Sequence, residues 1–417
     1  YGMNKFLNDS SFSVDHIKNF EKEQMKKFSK FNDLYYNYIK KHNKTIENLL
    51  KLNPDYITNS TKLPKVVVVR PHTKTGLGNR FPGIVCGFLY SIITDRLFFI
   101  NGYKDFHDYF EKDFEHNWEK VAHLYKDRKN KNLHNILRND FPLITRGNLN
   151  SDYVNSFDIL NVRTWDYACA PIMSNPNHKE WIKEIIPDYK IFTVISQKLL
   201  RLKSDIQKQV GNFMINHFSE YNIGIHLRMK KATPKTKGWI IPIDHYCRVV
   251  ETLLIGIKKN VSIFIAADEN KSRDTLISCI QNSITSNHQE FVKIVYINNN
   301  MSLVNPNNRN PGTELGSLID MKILSLCDDL ILTFGSTFGF VAAGWSYRSF
   351  HRLRGPLVVM PRNTTDDFAS DKIWLWQAGS NEPCMYLGKV LIRDSDPETV
   401  KVFKTNPFWM YYSQGCP

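Results

Sequence analysis

The pattern of apolar and polar positions predicts an α/β fold that begins at Lys65. Residues 66–70 form a β-branched run that is typical of a buried parallel strand. A tight glycine turn at residues 76–80 follows, and apolar residues then recur at helical spacing between Ile84 and Ile93. A second apolar run, at residues 97–100, predicts another strand. The order strand, glycine loop, helix and strand is the unit of a doubly wound sheet.

The same alternation returns from Asn222 onwards and predicts a second α/β unit. A helix is expected after Pro242, with Asp244 as its N-cap, and another at residues 313–327. Strands are expected at residues 223–227, 261–267, 293–297, 330–333 and, as the last strand, 357–360. We therefore expect two facing Rossmann-like domains, with a ligand bound at the carboxyl ends of the second domain's strands.

Four segments make up the expected organisation of the chain. Residues 1–62 predict a polar helical stem or packing arm, because apolar residues recur at three-to-four spacing among many lysines. Residues 63–215 are expected to form the first Rossmann-like domain, and within them residues 102–215 are less regular, with amphipathic helices and aromatic loops. Residues 216–400 are expected to form the second domain. Residues 401–417 are expected to be a tail that packs back.

Composition and charge narrow the class of protein. The chain has 417 residues, enough for two cores, and its 42% hydrophobic and 23% charged residues are typical of globular proteins. The net charge of +14 attracts polyanions, but the lysines are scattered and no nucleic-acid-binding motif is present, so we expect no nucleic-acid partner. No apolar run reaches the roughly 18 residues of a spanning helix. Because the chain begins at Tyr1, we expect that a type II membrane anchor has been trimmed from it.

The seven cysteines form no Cys-x-x-Cys pair, so we expect no metal site. Cys86, Cys279 and Cys327 lie in apolar helical stretches and are expected to be buried thiols. The disulfide candidates lie near proline-containing loops and are Cys169, Cys384 and Cys416. Glycosylation sequons, which are compatible with a secretory location, occur at Asn8, Asn43, Asn59, Asn260, Asn270, Asn300 and Asn363.

Cationic side chains follow the strand predicted at residues 223–227. His226 and Arg228 stand at its end, and Lys230 and Lys231 come next. An arginine at this position can hold a diphosphate, because its guanidinium makes two charge-assisted hydrogen bonds. The alternative interpretation is a solvated basic loop.

Two further strand ends carry polar groups. Asp268 and Glu269 follow residues 261–267 and can accept hydrogen bonds from a base or a ribose; the alternative is a helix N-cap. Residues 335–339, Gly-Ser-Thr-Phe-Gly, precede a helix, where backbone amides and a hydroxyl can approach a phosphate. Glycine turns are common, so this signal alone is weak.

Several segments together resemble one glycosyltransferase family. Residues 224–228, Gly-Ile-His-Leu-Arg, resemble the arginine motif of the fucosyltransferase superfamily. Residues 324–330 leading to residues 336–342 resemble the plant-type xyloglucan α-1,2-fucosyltransferases, as do residues 76–80 with the helix that continues to residue 96. The resemblance spans residues 66–385, with the motifs in the same order. It implies the GT-B type of fold, in which two Rossmann-like domains face each other.

The resemblance implies a role for each matching residue. Arg228 is expected to be catalytic, since it would bind the β-phosphate of GDP-fucose and help GDP to leave. The implied donor-binding residues are His226 and Asp268 for the nucleotide, Asp320 for a contact that the α-1,6 enzymes make, Ser336, Thr337 and Phe338 for the diphosphate and ribose, and Asn79 for the donor sugar.

The implied reaction is inverting, metal-independent transfer of L-fucose from GDP-fucose to O2 of a terminal galactose on a glycan acceptor, in the Golgi lumen and without a cofactor.

The sequence departs from the related α-1,6 enzymes at two points. Met229 stands where the α-1,6 enzymes have a second arginine, and their acidic base has no counterpart before residue 239. His72, beside the glycine turn, is a candidate base or a surface histidine. The run Asp394-Ser395-Asp396 predicts a turn. The alternatives are another linkage, protein O-fucosylation, and a degenerate glycan-binding protein.

Overall fold

The structure is a computed structural model that describes residues 26–52, 61–72, 75–103, 105–133, 140–163, 166–229, 241–286, 291–297, 311–346, 355–359, 375–385 and 388–408. The chain divides into two compact units. The four-stranded unit comprises the described residues of Met25–Lys203 and Cys384–Cys416, and the six-stranded unit those of Ser204–Pro383. Predictions that lie outside the described residues concern Lys230, Lys231, Cys416, residues 1–25, and the sequons at Asn8, Asn59, Asn300 and Asn363.

The four-stranded unit contains a parallel sheet with the strand order β2-β1-β4-β3. Strands β1 (Val66–Val69) and β2 (Leu97–Ile100) form where the apolar runs predict them. The sequence does not predict β3 (Asn130–Leu133) or β4 (Ile159–Val162). The helices of this part of the chain are α1 (Ser29–Leu50), α2 (Leu77–Ile93), α3 (Phe106–Tyr109), α4 (Phe141–Arg146), α5 (Asp152–Asn155), α6 (Lys179–Ile185) and α7 (Ile191–Leu199).

Helix α1 buries a single stripe of side chains. Its buried residues recur every three or four positions, which places them on one face of a helix, and they are Phe31, Tyr35, Tyr38, His42, Ile46 and Leu49. The Tyr38 ring meets Phe88 of α2 edge-on at 5.3 Å between centroids. Ile46 and Leu49 join valines of β1 in one hydrophobic cluster. The helix is therefore part of the core of the four-stranded unit.

The six-stranded unit contains a sheet with the order β10-β9-β8-β5-β6-β7. All neighbours are parallel except β10, which pairs antiparallel with β9. The strands are β5 (Tyr221–Leu227), β6 (Val261–Ala267), β7 (Val292–Val295), β8 (Asp329–Thr333), β9 (Leu357–Val359) and β10 (Leu375–Gln377). The prediction of a last strand at residues 357–360 is therefore wrong, since β10 follows and forms the sheet edge.

One helix of the six-stranded unit precedes its first strand, and the others lie between its strands in sequence. They are α8 (Ser204–His217), α9 (Ile243–Leu254), α10 (Asn270–Ser286), α11 (Pro311–Leu326) and α12 (Thr337–Gly344). Pro242, not Asp244, occupies the N-cap position of α9. The Asp244 carboxylate lies in the first turn and pairs with Arg248 at 3.6 Å. Among the described helices, none combines the length and the apolar character that crossing a bilayer requires.

The C-terminal segment with helices α13 (Gly388–Asp394) and α14 (Pro397–Phe403) belongs to the four-stranded unit. The Phe403 ring packs on Phe141 of α4 at 5.4 Å, and Arg146 donates to the Thr399 hydroxyl at 3.0 Å. Residues 384–400 therefore belong to the four-stranded unit. The sequence instead predicts that they belong to the second domain, residues 216–400.

Two disulfides correct the cysteine predictions. Cys86 bonds to Cys169, and Cys247 bonds to Cys279. Cys86 and Cys279 are therefore not thiols, although both lie in helices as expected. Cys327 is the buried free thiol that the sequence predicts, and Cys384 is disulfide-bonded. Each of these two disulfides lies within one unit, and they join residues that are 83 and 32 positions apart in the sequence.

Candidate functional site

Three strand ends meet at one edge of the six-stranded sheet. Strand β5 lies between β8 and β6 and is parallel to both, so the residues after all three strands emerge side by side. Arg228 follows β5, Asp268 follows β6, and residues 334–336 follow β8. Polar groups that follow these three strands therefore lie at the same edge of the sheet.

Arg228 is fixed at both its backbone and its side chain. Its Nη1 lies 3.0 Å from Oδ2 of Asp268, and the second carboxylate oxygen of Asp268 accepts from the Met229 amide at 2.8 Å. The Arg228 side chain remains 41% exposed, while that of Asp268 is 11% exposed. A guanidinium has five N–H donors, so this one can bind an oxyanion while it keeps its carboxylate partner.

The Thr333 hydroxyl connects three elements beneath Arg228. It donates to the His226 carbonyl at 2.7 Å and accepts from the Arg228 amide at 2.9 Å. The Tyr246 hydroxyl of α9 lies 2.7 Å away and, since the threonine proton is already used, acts as the second donor. Sequence analysis did not single out Thr333 or Tyr246. No local pattern marks them, because their partners come from separate strands and helices.

His226 is a buried, neutral imidazole beside Arg228. Burial, as the larger cause, and the positive charge on Arg228 together lower its pKa to about 3. The ring stacks on Phe338 with 5.0 Å between centroids and 26° between planes. Its Nδ1 has no hydrogen-bond partner among the described residues. A Cβ at Gly339 would lie 2.9 Å from that nitrogen, so glycine is what allows helix α12 to approach the ring.

Helix α12 begins just after the carboxyl end of β8. The turn before it uses Gly335 at φ +70°, a conformation that favours glycine. Ser336 occupies the N-cap position, but its side chain makes no capping hydrogen bond. Thr337 and Phe338 in the first turn are half-buried. Free amides at a helix N-terminus form a binding site for an anion such as phosphate.

Asp320 is a buried carboxyl in the middle of α11. It is 2% exposed, and its Oδ2 has no hydrogen-bond partner among the described residues. Burial raises its pKa well above the usual range, although the positive charge of Arg273 acts in the opposite direction. The structure joins Arg228 to Asp268, and His226 to Phe338. Within the described part of the chain, it shows no hydrogen bond or ion pair from Asp320 to any of these four.

Asn79 lies in the four-stranded unit, in the first turn of α2. It is half-buried, and its amide donates to the Gly76 carbonyl at 3.0 Å. Arg80 braces the turn, because its Nε donates to the Thr75 carbonyl at 3.0 Å and its guanidinium lies 4.6 Å from the Tyr103 ring centroid. The carbonyl of His72 accepts from both the amide and the hydroxyl of Thr75.

The Asp394-Ser395-Asp396 run connects two short helices. Asp396 is the N-cap of α14, and its carboxylate accepts from the Thr399 amide at 2.9 Å and the Thr399 hydroxyl at 2.6 Å. Across the residues that the structure describes, no group of three or more His, Cys, Asp or Glu side chains could hold a metal ion. The run therefore has a capping role, close to the turn that the sequence predicts.

Comparison with known proteins finds similarity both in sequence and in fold. No protein-family model matches the chain. The chain is 21% identical over 394 residues to a galactoside 2-alpha-L-fucosyltransferase of Pisum sativum, covering 84% of this chain and 66% of the relative. It thus spans slightly less than two thirds of that relative's length.

Arabidopsis thaliana FUT1, solved as a mutant in complex with GDP, matches the fold with a TM-score of 0.63 at 18% identity, covering 86% of this chain and 84% of that chain. At this identity the match establishes a shared α/β fold. The chain is thus similar in sequence to a plant galactoside 2-alpha-L-fucosyltransferase and in fold to Arabidopsis FUT1, which confirms the resemblance that its motifs indicate.

Proposed function

We propose that the chain is a GDP-fucose-dependent fucosyltransferase that transfers L-fucose to a glycan acceptor, at O2 of a terminal galactose. One observation carries the proposal: the exposed part of the Arg228 guanidinium lies at the same sheet edge as the uncapped N-terminus of α12. Both groups attract a diphosphate. The name of the pea relative supports the sugar and the linkage, and the GDP complex of Arabidopsis FUT1 supports the nucleotide.

The site stabilises the negative charge that develops on the departing diphosphate. The acceptor hydroxyl oxygen attacks the anomeric carbon of fucose and releases its proton to a general base, while the bond to the β-phosphate oxygen breaks and its electron pair stays on GDP. A single displacement of this kind inverts the anomeric carbon. Arg228 and the amides of α12 are already oriented, so they stabilise the growing charge without reorganising. Since its pKa is about 3, His226 is neutral at physiological pH and serves as a stacking surface, not as a base.

Binding roles follow from the environment of each remaining residue. Asp268 orients Arg228 and the Met229 amide, and we place it beside the nucleotide. The unpartnered Oδ2 of Asp320 supports a contact with a polar donor group, since buried polar atoms are usually satisfied. Ser336, Thr337 and Phe338 are assigned to the diphosphate and ribose. Asn79 is assigned to the donor sugar.

The domain arrangement, the cellular compartment and the metal independence of the reaction form part of the same proposal. We assign the two units to two facing Rossmann-like domains of the GT-B type, with boundaries near residues 204 and 384. The two disulfides support an oxidising compartment, which we take to be the Golgi lumen. Transfer is metal-independent, because Arg228 supplies the required cation, and it therefore continues in EDTA.

Calorimetry with GDP tests the proposal before any acceptor is known. Arg228→Ala should weaken GDP binding by about 10-fold to 100-fold, the equivalent of losing one charged hydrogen-bonding group. Arg248→Ala is a matched control in the same unit, since Arg248 is also exposed and ion-paired. Affinity that stays within a few-fold in Arg228→Ala contradicts the site. No GDP binding by the intact chain indicates a degenerate glycan-binding protein, and transfer only to folded peptide domains indicates protein O-fucosylation.

A further inference from the structure

A row of polar residues crosses the carboxyl edge of the four-stranded sheet. Arg70 follows β1, Asn101 follows β2 and Arg163 follows β4. The hydrogen-bond ladder continues through Arg70 and Asn101, because the Arg70 amide donates to the Val162 carbonyl and the Asn101 amide donates to the Val69 carbonyl, each at 2.8 Å. In parallel strands, residues in register project to the same side of the sheet. Asn101, Arg70 and Arg163 therefore form one row across three adjacent strands.

Both arginines of this row are available to a ligand. Arg70 and Arg163 are exposed, and Asn101 is half-buried. Among the described residues, neither guanidinium takes part in a hydrogen bond or an ion pair. The two guanidinium groups carry like charges on neighbouring strands, so an anion that lies between them can pair with both. Arg146 and Arg201 of the same unit, in contrast, each pair with a carboxylate.

The strand residues that precede the two arginines are buried and hold the backbone in place. Val69 and Val162, the residues before the two arginines, are 1% and 0% exposed and pair in register. The carboxyl ends of parallel strands are the usual ligand edge of an α/β sheet. The β1 exit also leads directly to the turn that carries Asn79. A guanidinium pair on such a base matches the oxygen geometry of a carboxylate or a sulfate, and the neighbouring amide matches a hydroxyl group.

We propose that Arg70, Arg163 and Asn101 form a subsite for an acidic sugar of the acceptor, a uronate or a sulfated residue. The subsite rests on the proposed fucosyltransferase function and adds the substrate class to it. It makes this chain selective for anionic galactose-terminated glycans over neutral ones.

Steady-state kinetics with two matched acceptors tests the subsite. One is a neutral galactose-terminated oligosaccharide, and the other is the same oligosaccharide with a uronate or a sulfate on the adjacent sugar. Arg70→Gln and Arg163→Gln should each raise KM for the anionic acceptor by about tenfold, as expected for one lost charged hydrogen bond. The KM for the neutral acceptor and the KM for GDP-fucose should not change. Arg393→Gln removes an exposed charge from the same unit away from the row and controls for net charge.

Three outcomes overturn the subsite: an equal effect on both acceptors, no effect on either, or a raised KM for GDP-fucose, which would assign the row to the donor. Direct binding separates this test from the proposed reaction. If the intact chain transfers no fucose, calorimetry with the anionic and the neutral oligosaccharide still measures selectivity. Preferential binding of the anionic one, lost in Arg70→Gln, supports the subsite even then, and equal binding rejects it.

Discussion

Acidification should destabilise the four-stranded unit through two buried histidines, His42 and His116. They are 1% and 4% exposed. Burial is the main cause that lowers the pKa of His42 to about 4 and that of His116 to about 3. The pKa of His116 also includes the effect of nearby charges: His107, Lys112 and His42 lower it, and Glu115 raises it. Both imidazoles are therefore neutral in the folded chain at pH values where the unfolded chain binds a proton.

The size of the effect follows from linkage between protonation and folding. Each histidine has a pKa of about 6.5 when unfolded, so the unfolded state takes up more protons between that value and the folded pKa. Stability is fully present above about pH 6.5 and falls as the pH decreases, at about 1.4 kcal/mol per pH unit for each residue. At about pH 5 the two histidines together should cost about 4 kcal/mol relative to neutral pH.

Native-state hydrogen exchange measures this loss within the four-stranded unit. The amide of Ile100 in β2 donates to the His116 carbonyl at 2.7 Å, so its protection reports opening next to the buried ring. His116→Phe keeps an aromatic ring against Phe106 and His107 but cannot be protonated. The pH-dependent loss of protection at Ile100 should therefore shrink by about 2 kcal/mol in this variant. The control is His123→Gln, which removes an exposed imidazole. An unchanged pH dependence in His116→Phe would refute the reasoning.

Three substitutions test the packing and hydrogen bonding around the site and the sheets. Thr333→Val leaves the His226 carbonyl, the Arg228 amide and the Tyr246 hydroxyl without their common partner and should lower kcat by at least about tenfold. Thr333→Ser should restore kcat. Ile331→Val, a buried change in the same strand, should not lower it. Gly339→Ala places a Cβ 2.8 Å from Leu332 and 2.9 Å from His226, so GDP affinity measured by calorimetry should fall; unchanged affinity contradicts a role for the stacked imidazole. Gly87→Ala places a Cβ 2.0 Å from Val69 and should reduce the free energy of unfolding by about 1–3 kcal/mol in urea titrations, with partial recovery when Val69→Ala is added.

Strands with β-branched or continuous apolar sequences could be predicted to within about two residues, as β1, β2, β5, β6 and β8 show. Strand β3 has the sequence Asn-Lys-Asn-Leu, which carries no such signal, and it forms because β4 offers it a partner in register. Propensity cannot predict pairing of this kind, since the partner is distant in sequence.

The position of candidate residues at strand ends could be predicted, because chain position alone places them at one edge of the sheet. Arg228 and Asp268 are of this kind. Contacts that depend on packing could not be predicted. The Thr333 hydroxyl joins β8, β5 and α9, and Cys86 finds Cys169 across 83 residues of sequence. The apolar helical environment of Cys86 predicts a free thiol, but the tertiary fold brings Cys169 next to it and the two form a disulfide.

The central claim is that the edge formed by Arg228 and α12 binds the diphosphate of GDP-fucose for transfer to galactose. Incubating the chain with GDP-fucose and galactose-terminated acceptors in EDTA, followed by linkage analysis of the product, tests it most directly. We predict a new α-1,2-linked fucose on galactose, which disappears in Arg228→Ala and persists in Arg248→Ala. Product formation that Arg228→Ala leaves intact, or fucose attached at another position, would contradict the claim.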